Sequence, residues 1–367
     1  MKICYFGAYE DSYPRNKVIR QGLKQNGVVV YECHDNTSPT WRRYPKLLGK
    51  FLALPKDFQA MIVAEFGQNN VLLAKILSVF SGKILIFDAF VLFYEAYVVD
   101  RGWYKKGSLM ARWLHFVDKQ AVKLADYILC QTEEQADDYS REFGIQKQKI
   151  KILYLGSSDE LFYPQETARQ ADDFKVLFYG TYTAQTGLEY VLKAAGKLKK
   201  QKDIKFYFIG DHPPHVRKLC DELDLTNATF EGRISPEEVP RRIAASDIIL
   251  GIFGDTPKGN NVVSNRVIQA MAMKKPLITG KTHAINRMLK DKIEAVLCPL
   301  CDAKSIAESI LLLYRDKDLR NKLAENGYEF YRNNFTPEVI GKKLKRILED
   351  IVHTETSSGK IKPAGGC

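Results

Sequence analysis

Short apolar segments alternate with helix-like segments along the whole chain. Among the apolar segments are residues 3–6, 61–64, 84–87 and 248–251. Runs this short and this apolar are typical of strands in parallel sheets whose two faces are both covered. Because parallel strands need a crossover connection, usually a helix, the alternation predicts an α/β fold of doubly wound parallel sheets.

The length of 367 residues exceeds what a single hydrophobic core usually holds. The alternation breaks at Tyr163-Pro164, and a polar stretch follows up to residue 173. We therefore predict an N-terminal domain of residues 1–165 and a C-terminal domain of residues 166–336. Residues 354–367 are rich in Ser, Gly and Pro, a composition typical of a disordered tail.

The net charge of +11 predicts an anionic partner. Residues 36–56 hold five Lys or Arg and no acid, and residues 101–117 hold four more, again with no acid. All three tryptophans lie in these stretches. Trp near a bilayer interface and basic side chains near anionic lipid both favour binding. The residues that predict a peripheral membrane surface are Trp41, Arg42, Arg43, Lys46, Lys50, Trp103, Lys105 and Lys106. The alternative is that these are solvated helix faces with Trp in the core.

The chain has no run of about twenty apolar residues and no signal-peptide pattern at its start. Its seven scattered cysteines fit a reducing compartment, so we expect a cytoplasmic protein. The pairs His212 and His215, and Cys298 and Cys301, lack further ligands, so no metal site is expected. Dinucleotide and P-loop glycine motifs are absent, and no cofactor is expected.

The most informative stretch runs from Gly259 to Gly280, where a polar loop leads into an apolar helix and then a strand. The first amides of a helix have no partner within it, which favours anion binding. Arg266 and Gln269 lie three apart and share one face of this helix. A guanidinium beside a neutral amide suits a diphosphate next to a ribose.

The stretch from Ser264 to Pro276 resembles the nucleotide-sugar site of the group-1 family of retaining GT-B glycosyltransferases. Many members carry Pro-x-Lys-x-x-Glu before Ala-Met-Ala-x-Gly-x-Pro. The resemblance implies that Arg266 meets the diphosphate and Gln269 the ribose. Asn261 then meets hydroxyls of the transferred sugar, and the backbone amides of Val262 and Val263 point toward that sugar.

The resemblance extends over residues 1–353 and implies two Rossmann-like domains that face each other across a cleft, with helix 337–353 crossing back to the N-terminal domain. Ligands of such sheets bind beyond the carboxyl ends of the strands. In the first domain this edge holds Asp88, which could orient or deprotonate an acceptor hydroxyl, or instead form an ion pair with Arg101 or cap a helix. The substrate-binding residues that it implies at the strand ends of both domains are Gly7, Arg15, Asn16, Gly180, Thr181, Gly210, Arg233 and Ile234.

The predicted function is metal-independent transfer of a sugar, with retention, from a UDP- or GDP-linked donor to an acceptor hydroxyl in glycan, polysaccharide or glycolipid synthesis. Two alternatives remain. Thr181 and Thr186 stand where relatives carry the Arg and Lys that clamp the diphosphate, and amides replace two Glu residues, so a catalytically silent GT-B binding or scaffold subunit is one. A sugar-nucleotide 2-epimerase is the other. No nucleic-acid-binding module is recognisable.

Overall fold

The computed structural model describes residues 1–166, 173–211 and 214–359. Parts of the predicted linker and tail, residues 167–172 and 360–367, and His212 lie outside this range. The chain divides into two compact units. The first comprises Met1–Gly156 and the chain from Thr336 onward, and the second comprises Ser157–Phe335.

The first unit is built on a six-stranded parallel sheet whose strands follow one another in the order β2-β1-β3-β4-β5-β6. Five helices connect or flank these strands. The strands are β1 Lys2–Gly7, β2 Val29–His34, β3 Ala60–Val63, β4 Ile84–Asp88, β5 Tyr127–Cys130 and β6 Ile150–Ile152; the helices are α1 Pro14–Gln25, α2 Thr40–Ala53, α3 Gln68–Ser81, α4 Leu109–Leu124 and α5 Glu133–Phe143. A π-helix spans Glu95–Asp100.

The second unit repeats this architecture with the strand order β12-β11-β10-β7-β8-β9, again wholly parallel. Its strands are β7 Phe174–Tyr179, β8 Ile204–Ile209, β9 Ala228–Glu231, β10 Ile248–Leu250, β11 Leu277–Gly280 and β12 Val296–Cys298. Its helices are α6 Leu188–Lys197, α7 Pro214–Leu223, α8 Val239–Ala244, α9 Pro257–Asn261, α10 Asn265–Ala272, α11 His283–Met288, α12 Ala303–Arg315 and α13 Lys317–Asn334.

Both faces of the first sheet are covered, which explains why its inner strands β3, β4 and β5 are almost wholly apolar rather than alternating. Side chains on one face, such as Phe6 and Phe87, pack with helices α2 to α5. Side chains of neighbouring positions, such as Tyr5 and Ile86, pack on the opposite face with α1. Successive residues of a strand point to opposite faces, so an inner strand that is covered on both faces is apolar at nearly every position. The predicted α/β class with two parallel sheets is confirmed.

The last helix, α14 Pro337–Ser357, packs on α1 and belongs to the first unit, as predicted. It buries Ile340, Leu344, Leu348 and Ile351 against the sheet face that α1 covers. The helix continues to Ser357, four residues beyond the predicted end at 353, so the start of the expected tail is helical. Glu355 accepts a hydrogen bond from the Tyr127 hydroxyl at 2.8 Å, which ties this last turn to β5.

The helices α1 and α14 approach each other so closely that glycine is required on both. A Cβ atom added to Gly341 would lie 2.0 Å from the carbonyl carbon of Gly22, and one added to Gly22 would lie 2.0 Å from the carbonyl oxygen of Pro337.

None of the described helices combines the length and apolar character needed to cross a bilayer.

We predict that Gly341→Ala lowers the stability of the first unit by about 1–3 kcal/mol, because its methyl group meets backbone that cannot move without separating the two helices. Urea denaturation followed by tryptophan emission measures this, since all three tryptophans lie in the first unit. The matched control is Gly49→Ala on α2, where a Cβ atom meets nothing within 4 Å; it is expected to gain roughly 0.5–1 kcal/mol. Equal effects of the two substitutions would contradict the close approach.

Candidate functional site

In the second unit, glycines end two adjacent strands at the carboxyl edge of the sheet. Gly180 follows β7 and Gly210 follows β8, with φ angles of +114° and +145° that glycine alone adopts readily. A Cβ atom on Gly210 would lie 2.2 Å from the carbonyl oxygen of Gly180. The two loops therefore run in direct contact, and Gly180 and Thr181 remain exposed at this edge.

Arg266, in the first turn of α10, extends into the same edge of the sheet. Its guanidinium lies over the Phe178 ring, 4.1 Å from the ring centroid. Its Nη1 donates to the carbonyl oxygen of Gly251 at 2.6 Å. A Cβ atom on Gly180 would lie 3.3 Å from its Nη2. The side chain is thus fixed by stacking and by the end of β10, and it lies beside the Gly180 backbone.

One nitrogen of this guanidinium is left without a hydrogen bond. Among the described residues, Nε of Arg266 is buried without a hydrogen-bond partner, and the hydroxyl of Ser264 is in the same state. No carboxylate of the described chain pairs with Arg266. Burial lowers the pKa of Arg266 to about 10, so it stays charged at neutral pH. A buried cation with free donors is costly unless something compensates it, so this edge fits an anionic ligand.

Gln269 lies one turn further along α10 and is also buried. Its Oε1 accepts a hydrogen bond from the Tyr179 hydroxyl at 2.8 Å. The predicted ribose contact is therefore left to its amide nitrogen or to the second lone pair of Oε1. Asn261 ends α9, and Val262 and Val263 form the extended link that leads to α10. The four predicted residues Asn261, Val262, Val263 and Gln269 thus lie on one continuous segment that runs from the end of α9 into α10.

Two further residues that were predicted to bind substrate lie at the end of the next strand. Arg233 and Ile234 follow β9, and the guanidinium of Arg233 is paired with the carboxylate of Asp211, with Nε 2.8 Å from Oδ1. This ion pair is exposed and joins the loops after β8 and β9. The Thr186 side chain donates to the carbonyl oxygen of Thr183 at 2.7 Å. Thr186 therefore holds its own loop together, at the position where relatives carry Lys.

The first unit contains a second buried arginine at the carboxyl edge of its sheet. Arg15, in the first turn of α1, donates from Nε and Nη2 to the carboxylate of Asp88 at 2.7 Å each, and from Nη1 to the carbonyl oxygen of Leu153 at 3.2 Å. Both side chains are fully buried. Burial opposes the charge of Arg15, but Asp88 outweighs it and raises the pKa of Arg15 above its usual value.

This pairing bears on three predicted site residues. The ion-pair partner of Asp88 is Arg15, not Arg101 as the sequence suggested, because Arg15 lies on the helix that follows β1 and covers the end of β4. Asn16 is also buried, and its Oδ1 accepts from the Tyr5 hydroxyl at 2.7 Å. Gly7 ends β1 beside Asn70. A contact of these residues with substrate stays a prediction, and as placed Arg15, Asn16 and Asp88 serve protein contacts.

Glu65 was missed by the sequence reasoning. It follows β3 at the same edge, and only 2% of its surface is exposed. Burial, and then the charge of Asp88, raise the pKa of Glu65 well above its usual value, against the opposing effect of Arg15. The signal was the one used for Asp88, an acid directly after an apolar strand, here in Met61-Ile-Val-Ala-Glu65.

No group of three or more His, Cys, Asp or Glu side chains suited to a metal ion occurs within residues 1–166, 173–211 and 214–359. His212, one of the two histidines noted in the sequence, lies outside that range.

Residues 159–330 match the family model described as glycosyl transferases group 1. Two curated relatives are similar over part of the chain. Alpha-D-kanosaminyltransferase of Streptomyces kanamyceticus is 24% identical over 255 residues, which cover 66% of this chain and 64% of that protein. N-acetyl-alpha-D-glucosaminyl L-malate synthase of Bacillus anthracis is 24% identical over 224 residues, which cover 58% of this chain and 56% of that protein. The chain thus matches less than two thirds of either relative.

Solved structures share the fold over nearly the whole chain. Anabaena HepE in complex with UDP aligns with a TM-score of 0.70 at 14% identity, covering 95% of this chain and 100% of that chain. Sucrose-phosphate synthase from Thermosynechococcus elongatus aligns with a TM-score of 0.70 at 18% identity, covering 96% and 99%. The predicted GT-B fold, with two Rossmann-like domains, is confirmed.

We predict that Arg15→Met destabilises the first unit by about 3–5 kcal/mol, because it leaves the Asp88 carboxylate buried without its partner. The double variant Arg15→Met with Asp88→Leu is expected to lose less than Arg15→Met alone, since it buries no charge. Urea denaturation of both variants, followed by tryptophan emission, provides the comparison. Lys24→Met, which removes a surface cation paired with Glu32, is the control and is expected to stay within about 0.5 kcal/mol of the wild type. A loss in the double variant as large as that of Arg15→Met alone, or larger, would refute the pairing.

Proposed function

On the premise that residues 159–330 belong to the group-1 glycosyltransferases, we propose that this chain transfers a sugar from a nucleoside diphosphate sugar to an acceptor hydroxyl. The observation that carries the proposal is the buried guanidinium of Arg266 beside Gly180, which has no carboxylate partner among the described residues and whose Nε lacks a hydrogen bond. HepE, which shares the fold, has been solved with UDP and with UDP-glucose. We propose a UDP- or GDP-linked donor bound at this edge of the second unit.

The chemistry follows from charge. The bond between the anomeric carbon and the diphosphate breaks, so negative charge grows on the departing phosphate. Donors already fixed at that position stabilise the transition state more than the ground state. Arg266, the amides of Gly180 and Thr181, and the N-terminus of α10 are the groups that we assign to this role.

We propose that the reaction proceeds with retention of configuration and without a metal ion or cofactor. The acceptor oxygen bonds to the anomeric carbon on the face that the diphosphate leaves. The proton of the acceptor hydroxyl passes to an oxygen of the departing phosphate, so the step needs no protein base. Asp88 is then a positioning residue, because its carboxylate is held by Arg15 within the first unit.

The remaining assignments concern the bound donor. We propose that Gln269 meets the ribose through its amide nitrogen, that Asn261 and the amides of Val262 and Val263 meet the transferred sugar, and that Gly210 and Ile234 border the base. Arg233 holds Asp211, so its role is to shape that pocket. The product class that we propose is a glycan, polysaccharide or glycolipid.

A catalytically silent GT-B subunit is the second candidate. Thr186 and Gln269 are neutral, so neither supplies the charge that relatives place there. The Thr186 hydroxyl donates within its own loop, and the Gln269 carbonyl accepts a hydrogen bond from Tyr179. The two candidates differ in turnover. Release of sugar from UDP-glucose or GDP-mannose by the purified protein, or transfer to an acceptor, supports the enzyme; binding of the nucleotide without either supports the silent subunit.

We predict that Arg266→Met weakens binding of UDP or GDP by about 10- to 100-fold, because a hydrogen bond to a charged group contributes about 1.5–3 kcal/mol. Binding of uridine or guanosine, which lack the diphosphate, is expected to change little. Isothermal titration of each nucleotide and nucleoside gives the comparison. Arg315→Met, at the exposed end of α12, is the control and leaves both unchanged. Equal losses for nucleotide and nucleoside would rule out a diphosphate contact.

We also propose that the protein is cytoplasmic and binds an anionic membrane surface through its first unit. Trp41, Trp103 and Trp113 are more than half exposed, so the alternative that they belong to the core is wrong. Arg42 stacks on Trp41, and Leu48 and Leu52 on the same helix are also exposed. The Lys46 ammonium donates a hydrogen bond to the Ser38 hydroxyl, and that of Lys50 donates to the carbonyl oxygen of His34. The basic residues available to lipid are therefore chiefly Arg42, Lys105 and Lys106.

Replacing Arg42, Lys105 and Lys106 by Gln is expected to lower binding to vesicles that contain phosphatidylserine by about 3 kcal/mol at low salt, since each basic residue near the surface contributes about 1 kcal/mol. Co-sedimentation over a salt series measures it, and binding of the wild type should fall as salt rises. Lys197, Lys200 and Lys202, exposed in the second unit, provide a control triple variant with the same change of charge. Loss of binding in both triple variants alike would indicate general charge attraction and not a surface on the first unit.

A further inference from the structure

The first unit contains a cavity of about 290 Å³ that the proposed donor chemistry does not use. The loop after β1 and the start of α1 form one side of it, through Tyr9 and Tyr13. The end of β3 contributes Glu65. The segment that follows the π-helix closes it with Arg101 and Trp103.

The inner end of this cavity carries an uncompensated polar group. Glu65 lines the cavity although it is only 2% exposed. Its Oε2 is buried and has no hydrogen-bond partner among the described residues. Burial and the charge of Asp88 raise the pKa of the Glu65 carboxyl group well above its usual value, which favours its protonated form, a hydrogen-bond donor. A buried polar group without a partner costs stability, so its presence at a cavity wall points to a ligand that would pair with it.

The backbone beside Glu65 is strained. Phe66 has a φ angle of +54°, a conformation that is uncommon for an aromatic residue. Gly67 follows so tightly that a Cβ atom on it would lie 2.4 Å from the carbonyl oxygen of Ala64. Strain of this kind persists where surrounding structure imposes it, and it clusters at ligand sites. Here it turns the chain directly after Glu65.

The outer walls are aromatic. The rings of Tyr97 and Trp103 stack with their centroids 5.3 Å apart, and the Arg101 guanidinium lies over both, 5.5 and 5.3 Å from their centroids. Tyr97 belongs to the π-helix, a rare element that is frequent at functional sites. No carboxylate among the described residues pairs with Arg101.

Resting on the proposed function, we infer that this cavity holds a sugar ring of the acceptor, and that Glu65 positions it by a hydrogen bond to one ring hydroxyl. A pyranose has apolar faces that pack on aromatic rings and a rim of hydroxyls that need donors and acceptors. A purely apolar ligand would leave Glu65 without a partner. A cationic ligand would meet the guanidinium of Arg101.

The test uses saccharides alone, without nucleotide, so that its outcome is independent of the donor site. A variant with Trp41→Phe and Trp113→Phe keeps Trp103 as the one emitting tryptophan of the sequence. Methyl glycosides of glucose, galactose, mannose and N-acetylglucosamine are titrated into it. We expect a saturable change in Trp103 emission with at least one of them. The glycosides are tested up to about 0.1 M, a concentration at which even a very weak site is occupied. No change in Trp103 emission with any of them would overturn the inference.

Two substitutions in the same background test the role of Glu65. Glu65→Gln keeps a donor and an acceptor in the same shape, and is expected to bind the glycoside within about threefold of the parent. Glu65→Leu is expected to bind about tenfold more weakly, the loss of one hydrogen bond. Because Glu65→Leu removes an unpartnered polar group, it should unfold in urea no earlier than the parent at pH 7. Equal glycoside affinity of the parent and Glu65→Leu would overturn the role of Glu65.

The donor site provides the internal check. UDP binding by Glu65→Leu is expected to equal that of the wild type, because Arg266 and its surroundings belong to the second unit. Glycoside binding without UDP or GDP binding would sink the proposed donor and leave a saccharide site. Nucleotide binding without glycoside binding would sink the inference and leave the proposed function.

Discussion

A guanidinium removed from water has to be compensated, and the two units of this protein meet that requirement differently. Arg15 presents its Nε and Nη2 edge to the carboxylate of Asp88, while Nη1 donates to the carbonyl oxygen of Leu153. Arg266 is anchored in the same manner, with Nη1 on the carbonyl oxygen of Gly251, but its Nε has no partner in the described chain. Phe90 stacks under the first and Phe178 under the second. One arginine is therefore satisfied by the protein, and the other keeps an Nε without a partner in the described chain.

The different pairing of Arg15 and Arg266 affects both the stability of each unit and the ligand that each can bind. A complete buried pair holds β4, α1 and the end of β6 together, and it loses stability when either partner is removed. An incomplete one is stabilised by a bound anion, since a ligand that binds only the folded state raises the free energy of unfolding. The second unit is thus expected to gain stability from a diphosphate, whereas the buried arginine of the first unit is already paired with Asp88.

The catalysis that we propose at this site relies on few charges. Relatives place Arg and Lys where this chain has Thr181 and Thr186, so the positive charge of the site is concentrated on Arg266. Aromatic rings and backbone carbonyls fix that guanidinium before any ligand arrives, which lowers the reorganisation needed during reaction. The glycines at the ends of β7 and β8 let the backbone come close to a phosphate, because no side chain intervenes at Gly180 or Gly210. A site of this kind needs precise placement of a few donors more than a high net charge.

The sequence by itself determined the strands, the parallel α/β class, the return of the last helix and the segment that carries Asn261, Arg266 and Gln269. Apolar runs, helix spacing and a motif are local patterns, readable over ten to twenty neighbouring residues. Tertiary structure alone decided that Asp88 pairs with Arg15, 73 positions away, that Gln269 binds Tyr179, that the tryptophans lie at the surface, and that Glu65 is left without a partner beside a cavity. These outcomes depend on which residues, distant in sequence, come into contact when the chain folds. Whether a buried polar group finds a partner is decided by those contacts, and no local sequence pattern encodes them.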